Sequence, residues 1–388
     1  MKKVLVGLGL LCAVGIASYF LFFPAYADRQ WNYGFARPPY QVSPEVERLH
    51  KTLFIADLHN DALMWNRDLI QKNTRGYTDV PRMQEGNVAL QTYTAVTSVP
   101  RGRNIDKNDG NVMDSITLLA VSELWPVRTW NSLKERALYQ ASKMHRFAER
   151  SNGKLVVIKT RADLAQFLER RKTEPDLTGA VLGIEGAQCL EGDPDNLEAM
   201  FDAGYRNIGL AQFADNEMTG SQQGVSQMGL SDKGRALLRI AERKRMTIDL
   251  AHSSTKTMEE VLQLSTRPLL VTHTGVKGTL DNNRNLSDEM LRAIAAKGGL
   301  IGIGFWEEAI GPITDLTATV RAIKHAVKVA GIDHIALGSD SDGSVPMPFE
   351  VSGMKLLTEA FLKEGFTETE IRKIMGENVV AFYMRALP

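Results

Sequence analysis

Thr247-Ile248-Asp249-Leu250-Ala251-His252 and Leu269-Leu270-Val271-Thr272-His273 are two short apolar runs, each closed by a histidine. Runs this short and this apolar suit strands buried on both faces. Six more of the same kind recur, at residues 53–58, 88–96, 180–184, 207–211, 300–305 and 334–339. Amphipathic helical patterns lie between them. Residues 235–245 carry Leu237, Leu238 and Ile240 among charges, and 291–297 and 320–329 are similar. Alternating buried strand and helix imply a parallel sheet, and eight such units over roughly 290 residues predict an α/β fold, a (β/α)8 TIM barrel.

Around this frame the chain is read as one catalytic domain over residues 45–388. Its largest insertion separates the second and third predicted strands and holds a polar loop at 101–111 and helical stretches at 113–150. A loop at 215–231, rich in Gly, Ser and Gln, follows the fourth predicted strand and is expected over the barrel mouth. Helical patterns at 354–364 and 368–385 are expected to close the bottom or side.

The balance of 46 Lys plus Arg against 46 Asp plus Glu in 388 residues, with no basic run, gives no electrostatic footprint for nucleic acid. A hydrophobic fraction of 44% fits a globular protein and argues against disorder and a polytopic membrane protein. The two cysteines, Cys12 and Cys189, make neither a disulfide framework nor a thiolate metal ribbon.

Lys2 and Lys3 precede an uncharged apolar stretch at 4–23, long enough to span about 30 Å. Residues 1–27 are therefore expected to be an N-terminal membrane anchor or a signal peptide cut after Ala25-Tyr26-Ala27. Either fate exports the catalytic part to the periplasmic or extracellular side. Bulky Leu11 opposes lipoprotein processing at Cys12. Residues 28–44, with Pro38-Pro39, read either as a semi-rigid linker or as an arm packed on the domain.

In a barrel of this kind, chemistry sits at the C-terminal strand ends. His59 and Asp61 follow the first predicted strand, Glu185 ends the third, His252 the fifth, His273 the sixth and Asp340 the eighth. Each alone has a structural explanation, such as a hydrogen-bonded core histidine or an aspartate capping a helix. Together they place three of only seven histidines and three carboxylates at one mouth. The natural reading is a dinuclear site: one metal on His59, Asp61 and Glu185, the other on Glu185, His252 and His273, with Glu185 bridging. Nitrogen and oxygen donors suit two Zn2+, with manganese or iron as alternatives. A water between the metals would be acidified towards hydroxide to attack a carbonyl. Asp340 would carry the proton from that water to the leaving nitrogen.

These residues, in this order, resemble the membrane dipeptidase (renal dipeptidase-like) family of zinc peptidases. The segments that carry the likeness are Leu58-His59-Asn60-Asp61-Ala62-Leu63, Gly183-Ile184-Glu185-Gly186, Ile248-Asp249-Leu250-Ala251-His252-Ser253, Val271-Thr272-His273-Thr274, Asn283-Arg284-Asn285, Gly338-Ser339-Asp340-Ser341-Asp342-Gly343 and Lys373-Ile374-Met375-Gly376-Glu377-Asn378. The resemblance implies a small dipeptide substrate, the same binuclear site, and Arg284 as the group that binds the dipeptide's C-terminal carboxylate. It also allows a homodimer. Two departures stand out. Gln212 occupies the place of a substrate-contacting histidine and is expected to meet substrate through its amide, and Ser341 replaces an aromatic residue. They leave open a metal-dependent amidase or lactamase acting on another small amide; a non-catalytic barrel is a further alternative.

Overall fold

The nine strands of the computed structural model, which describes residues 2–314 and 316–388, are β1 (Ile55–Asp57), β2 (Val88–Val96), β3 (Leu155–Val157), β4 (Thr178–Glu185), β5 (Tyr205–Gly209), β6 (Thr247–Asp249), β7 (Leu270–Thr274), β8 (Leu300–Ile303) and β9 (Ile335–Leu337). Every pairing is parallel, in the order β2-β1-β9-β8-β7-β6-β5-β4, and a β2–β4 pairing closes the ring. The eight predicted runs supply the eight staves of this (β/α)8 barrel. The ninth strand, β3, lies outside the ring and pairs with Thr178–Ala180 at the start of β4.

Side chains alternate across each stave, so one strand feeds two cores. Along β4, Val181 joins the interior cluster with Leu58, Leu90, Leu270 and Leu300, while Ala180, Leu182 and Ile184 pack outward against the helices. The outer helices show why the periodic segments fold as they do. The helix Asp232–Lys244 starts at Ser231, whose side chain accepts the Gly234 N–H, and buries Leu237, Leu238, Ile240 and Ala241 on one face.

The floor of the barrel is sealed by the C-terminal helix Asn378–Ala386, which contributes Val379, Phe382 and Tyr383 to the interior cluster. The Tyr383 hydroxyl accepts from Asn207 Nδ2 at 2.7 Å and shares a 3.0 Å hydrogen bond with Thr92 Oγ1, tying β5 to β2 across the interior. With the floor filled in this way, a larger convergence of polar side chains lies at the opposite end of the staves.

The apolar stretch 4–23 falls within a helix, Lys2–Trp31, that contains Pro24. Among the described residues no helix is long and apolar enough to cross a membrane. The side chains at 6, 9, 10, 12, 13 and 16, which the anchor expectation counted, lie outside the described ones. The end of this helix lies on the barrel mouth: Tyr19 Oη donates to Leu118 O at 2.7 Å, and Ala27 and Phe23 pack with Trp65, Val96, Ile116 and Leu119. Asp28 in the helix's last turn and Asn32 just past it are buried on the same face, and Gly34 bridges to Met347.

Tyr383→Phe strands the Asn207 amide in the barrel interior. It should lower the unfolding free energy by about 1–3 kcal/mol, and Tyr383→Ala by about 3–5 kcal/mol, read from urea denaturation midpoints.

Candidate active site

The strand ends bring the expected residues to one point. Glu185 Oε1 lies 3.0 Å from His252 Nε2, 3.4 Å from His273 Nε2 and 3.7 Å from His59 Nε2. His59 Nε2 is also 3.5 Å from Asp61 Oδ1 and 3.9 Å from Asp340 Oδ1. Donor atoms of His59, Glu185 and His273, and again of His59, Asp61 and Asp340, lie within 4.8 Å of one another. All six side chains are buried or nearly so. Asp340 therefore sits within reach of the same donors as Asp61. His252 takes its position through a left-handed backbone, φ 62°, immediately past β6.

The far sides of His252 and His273 face groups that take a hydrogen from Nδ1. His252 Nδ1 faces Gln223 Oε1 at 3.1 Å, an acceptor, so Nδ1 carries the hydrogen. Thr272 Oγ1 donates to Asp249 Oδ2 at 2.6 Å, which leaves its lone pairs to accept from His273 Nδ1 at 3.1 Å and His59 Nδ1 at 3.0 Å. The Nε2 lone pairs of His252 and His273 then point inward, while His59 Nε2 lies among the Asp61, Glu185 and Asp340 carboxylates. The His252 and His273 lone pairs meet at 3.0 Å with no hydrogen between them, beside a carboxylate oxygen. Such a crowd of bare donors is repulsive by itself and suits a cation at its centre. The donor set thus fits divalent metal.

Charge tells the same story. Burial, joined by the Arg284 charge, holds His252 down to about 4, and burial with the His59 charge holds His273 well below its ordinary value, so both are neutral ligands at pH 7. Burial would also hold His59 down, yet the carboxylates of Asp61, Glu185 and Asp340 carry it up to about 10. The cluster demands positive charge there. Burial pushes Glu185 up, but the His59 and Arg284 charges oppose it, and the balance holds Glu185 below its ordinary value. Burial, reinforced by Asp61 and Glu185, raises Asp340 well above the carboxylate range.

A cavity of about 640 Å3 opens over this cluster. Asp61, Glu185, His252 and Asp340 line its polar side; Trp65, Phe213 and Trp306 line its apolar side, with Phe23 and Trp31 from the N-terminal helix. Arg284 also reaches it. Its Nη2 donates to His273 O at 2.8 Å and its guanidinium lies 5.5 Å from the Trp306 ring centre. Arg67, Arg82 and Arg136, equally buried, all face carboxylates. Arg284, 2% exposed, has no carboxylate at ion-pair distance among the described residues. Gln212 lines the cavity too, but its amide is engaged: Nε2 donates to Glu185 Oε2 at 2.6 Å and Oε1 accepts from Gln188 Nε2 at 3.0 Å. It holds the central carboxylate in place.

The family model for membrane dipeptidase (Peptidase family M19) matches residues 44–385. The chain belongs to this family. As a membrane dipeptidase relative it is a metallo-dipeptidase, a metal-dependent hydrolase of peptide bonds. It is 26% identical to an uncharacterized dipeptidase of Schizosaccharomyces pombe, over 84% of this chain and 79% of that one. A metallo peptidase from Rhodobacter sphaeroides, solved with a phosphinate mimic of the dipeptide L-Ala-D-Ala, superposes with a TM-score of 0.70 at 23% identity, covering 86% of this chain and 99% of that one. The probable dipeptidase PvdM from Pseudomonas aeruginosa gives 0.72 at 17% identity, covering 88% and 97%. At such identities the structural likeness shows the barrel itself.

Behind the membrane dipeptidase donors lies a second layer that motif reading did not assign. Asp249 accepts the Ala251 and Thr272 N–H groups as well as the Thr272 hydroxyl, and Asp57 accepts the N–H groups of His59 and Ser339. Their signal was present: an aspartate inside a buried strand run needs several donors to stay there. Gln223, in the 215–231 loop, had no such signal. Asp249→Asn turns an acceptor towards a donor and should loosen the Thr272 hydroxyl that orients two imidazoles. The expected loss of metal affinity is about 10–100-fold, read by competition with a chromogenic chelator.

Proposed function

We propose that the protein hydrolyses small dipeptides with a free C-terminal carboxylate, using two zinc ions held by His59, Asp61 and Glu185 and by Glu185, His252 and His273. The observation that carries this reading is Arg284: a buried guanidinium without a carboxylate, in the same cavity as the donor cluster. A buried charge of this kind calls for an anionic partner, and a substrate carboxylate matches its planar fork. The cavity's modest size supports a short substrate.

When bound, the metals supply Lewis acidity that polarises the scissile carbonyl and eases deprotonation of water. The rest falls to the chain. Arg284 fixes the carboxylate end and so sets the distance from it to the scissile bond. The apolar wall of Trp65, Phe213 and Trp306 limits side-chain size and excludes bulk water. Asp340, ionised once cations offset the neighbouring Asp61 and Glu185 charges, would take the proton of the attacking water and return it to the amine nitrogen as the C–N bond breaks. Water's oxygen ends in the new carboxyl, and two amino acids leave. The engagement of Gln212 with Glu185 and Gln188 favours a second reading, hydrolysis of another small amide, because the amide that replaces a family histidine is not turned to a substrate carbonyl. We further propose that the catalytic part acts on the exported side of a membrane, supported by Lys2, Lys3 and the apolar run behind them.

A panel of dipeptides with free and amidated C-termini, run with metal quantification, tests the reading. His252→Ala should lose one metal equivalent and most activity; full occupancy on metal analysis contradicts the ligand assignment. Asp340→Asn should keep its metal while kcat falls by at least about 100-fold; an unchanged kcat removes the proton-carrier role. Arg284→Ala should cut kcat/KM for free dipeptides about 30-fold or more and erase the preference over amides. A preference that survives the substitution assigns the carboxylate to another group.

A further inference from the structure

Asp340 stands at the head of a loop in an unfavoured backbone conformation. Asp340, Asp342 and Ser344 have φ of 63°, 65° and 64°, in the left-handed region that residues with a Cβ avoid. Such a backbone persists only where its surroundings over-determine it. The first half of the loop is tied to the segment after β1: the Asp61 N–H donates to Ser341 O at 2.9 Å, and Asn60 Nδ2 donates to Ser341 Oγ at 2.6 Å. The second half is tied to the arm formed by the last turn of the N-terminal helix, with Asp28, and the residues just past it, with Asn32. Asn32 Oδ1 accepts the Ser344 N–H at 3.0 Å, and its Nδ2 donates to Asp28 Oδ1 at 2.9 Å. Asp28, 1% exposed, faces Arg75 at 2.8 Å and Arg67 at 3.3 Å, and Arg67 in turn faces Asp342 at 2.7 Å. The Arg67 contacts are of charge alone, since its Nε and Nη2 make no aligned hydrogen bond. Further on, the Phe35 N–H donates to Met347 O, the Ala36 N–H to Pro348 O and the Met347 N–H to Tyr33 O.

We propose that Asp28 and Asn32 are positioning residues for catalysis: the arm clamps residues 342–348 and thereby fixes where the Asp340 carboxyl reaches into the cavity. This rests on the reading of Asp340 as the proton carrier. Neither residue lines the cavity, whereas Gly343, Ser344 and Val345 of the clamped loop do, so the arm acts through backbone placement rather than contact with substrate. A shift of about 1 Å in a reacting group is enough to lower turnover about 100-fold.

The test compares the full-length, metal-loaded protein with Asn32→Ala, Asp28→Asn, their double variant and Asp340→Asn, measuring kcat and KM on one dipeptide, bound metal and thermal melting. Expected for Asn32→Ala and Asp28→Asn is a kcat lower by about tenfold or more with KM within about twofold and metal retained. The double variant should fall no further than the worse single, because both act on one loop. If Asp340→Asn is inactive while Asn32→Ala turns over like the parent, the clamp is overturned and the proton-carrier reading stands. If Asp340→Asn turns over like the parent, it is that reading that fails, and the clamp with it. Loss of folded protein or of metal in both arm variants makes the arm a stability element and also overturns the proposal.

Discussion

The structure depends on a crowd of lone pairs that repel one another. Three imidazole nitrogens and the carboxylates of Asp61, Glu185 and Asp340 are driven together by eight staves whose ends converge. Nothing apolar compensates them, and burial denies them water. Cations held there would relieve such an arrangement and would also stabilise the fold, since a ligand that binds the folded state alone adds its binding free energy to folding. The interior cluster below, sealed by Tyr383, keeps the staves from relaxing apart.

The second layer turns this crowding into direction. Asp249 receives three hydrogen bonds and uses one of them, from Thr272, to aim two imidazoles at once. Asp57 anchors the backbone of His59 and of Ser339, the residues beside the β1 and β9 ends of the site. One buried carboxylate thus orients side chains and the other orients main chain.

The barrel was legible because buried strands and amphipathic helices write different periods, and the eight runs from residue 53 to residue 339 all became staves. The convergence of His59, Asp61, Glu185, His252, His273 and Asp340 was legible for a related reason: a barrel maps strand ends onto one rim. What escaped reading had no period to betray it. Leu155–Val157 is three residues long and owes its strand state to the flank of β4 rather than to its own pattern. Gln223 reaches His252 from an irregular loop, and its role exists only in three dimensions. Gln212 was read as a partner for substrate, but the geometry turns its amide to Glu185, a distinction between two acceptors that spacing does not encode.

The small chamber walled by Trp65, Trp306, Phe23 and Trp31 carries a consequence for what can enter it. A polypeptide in mid-chain cannot thread a space whose floor is sealed by Val379, Phe382 and Tyr383, so peptides with a free end are the ones its geometry would admit.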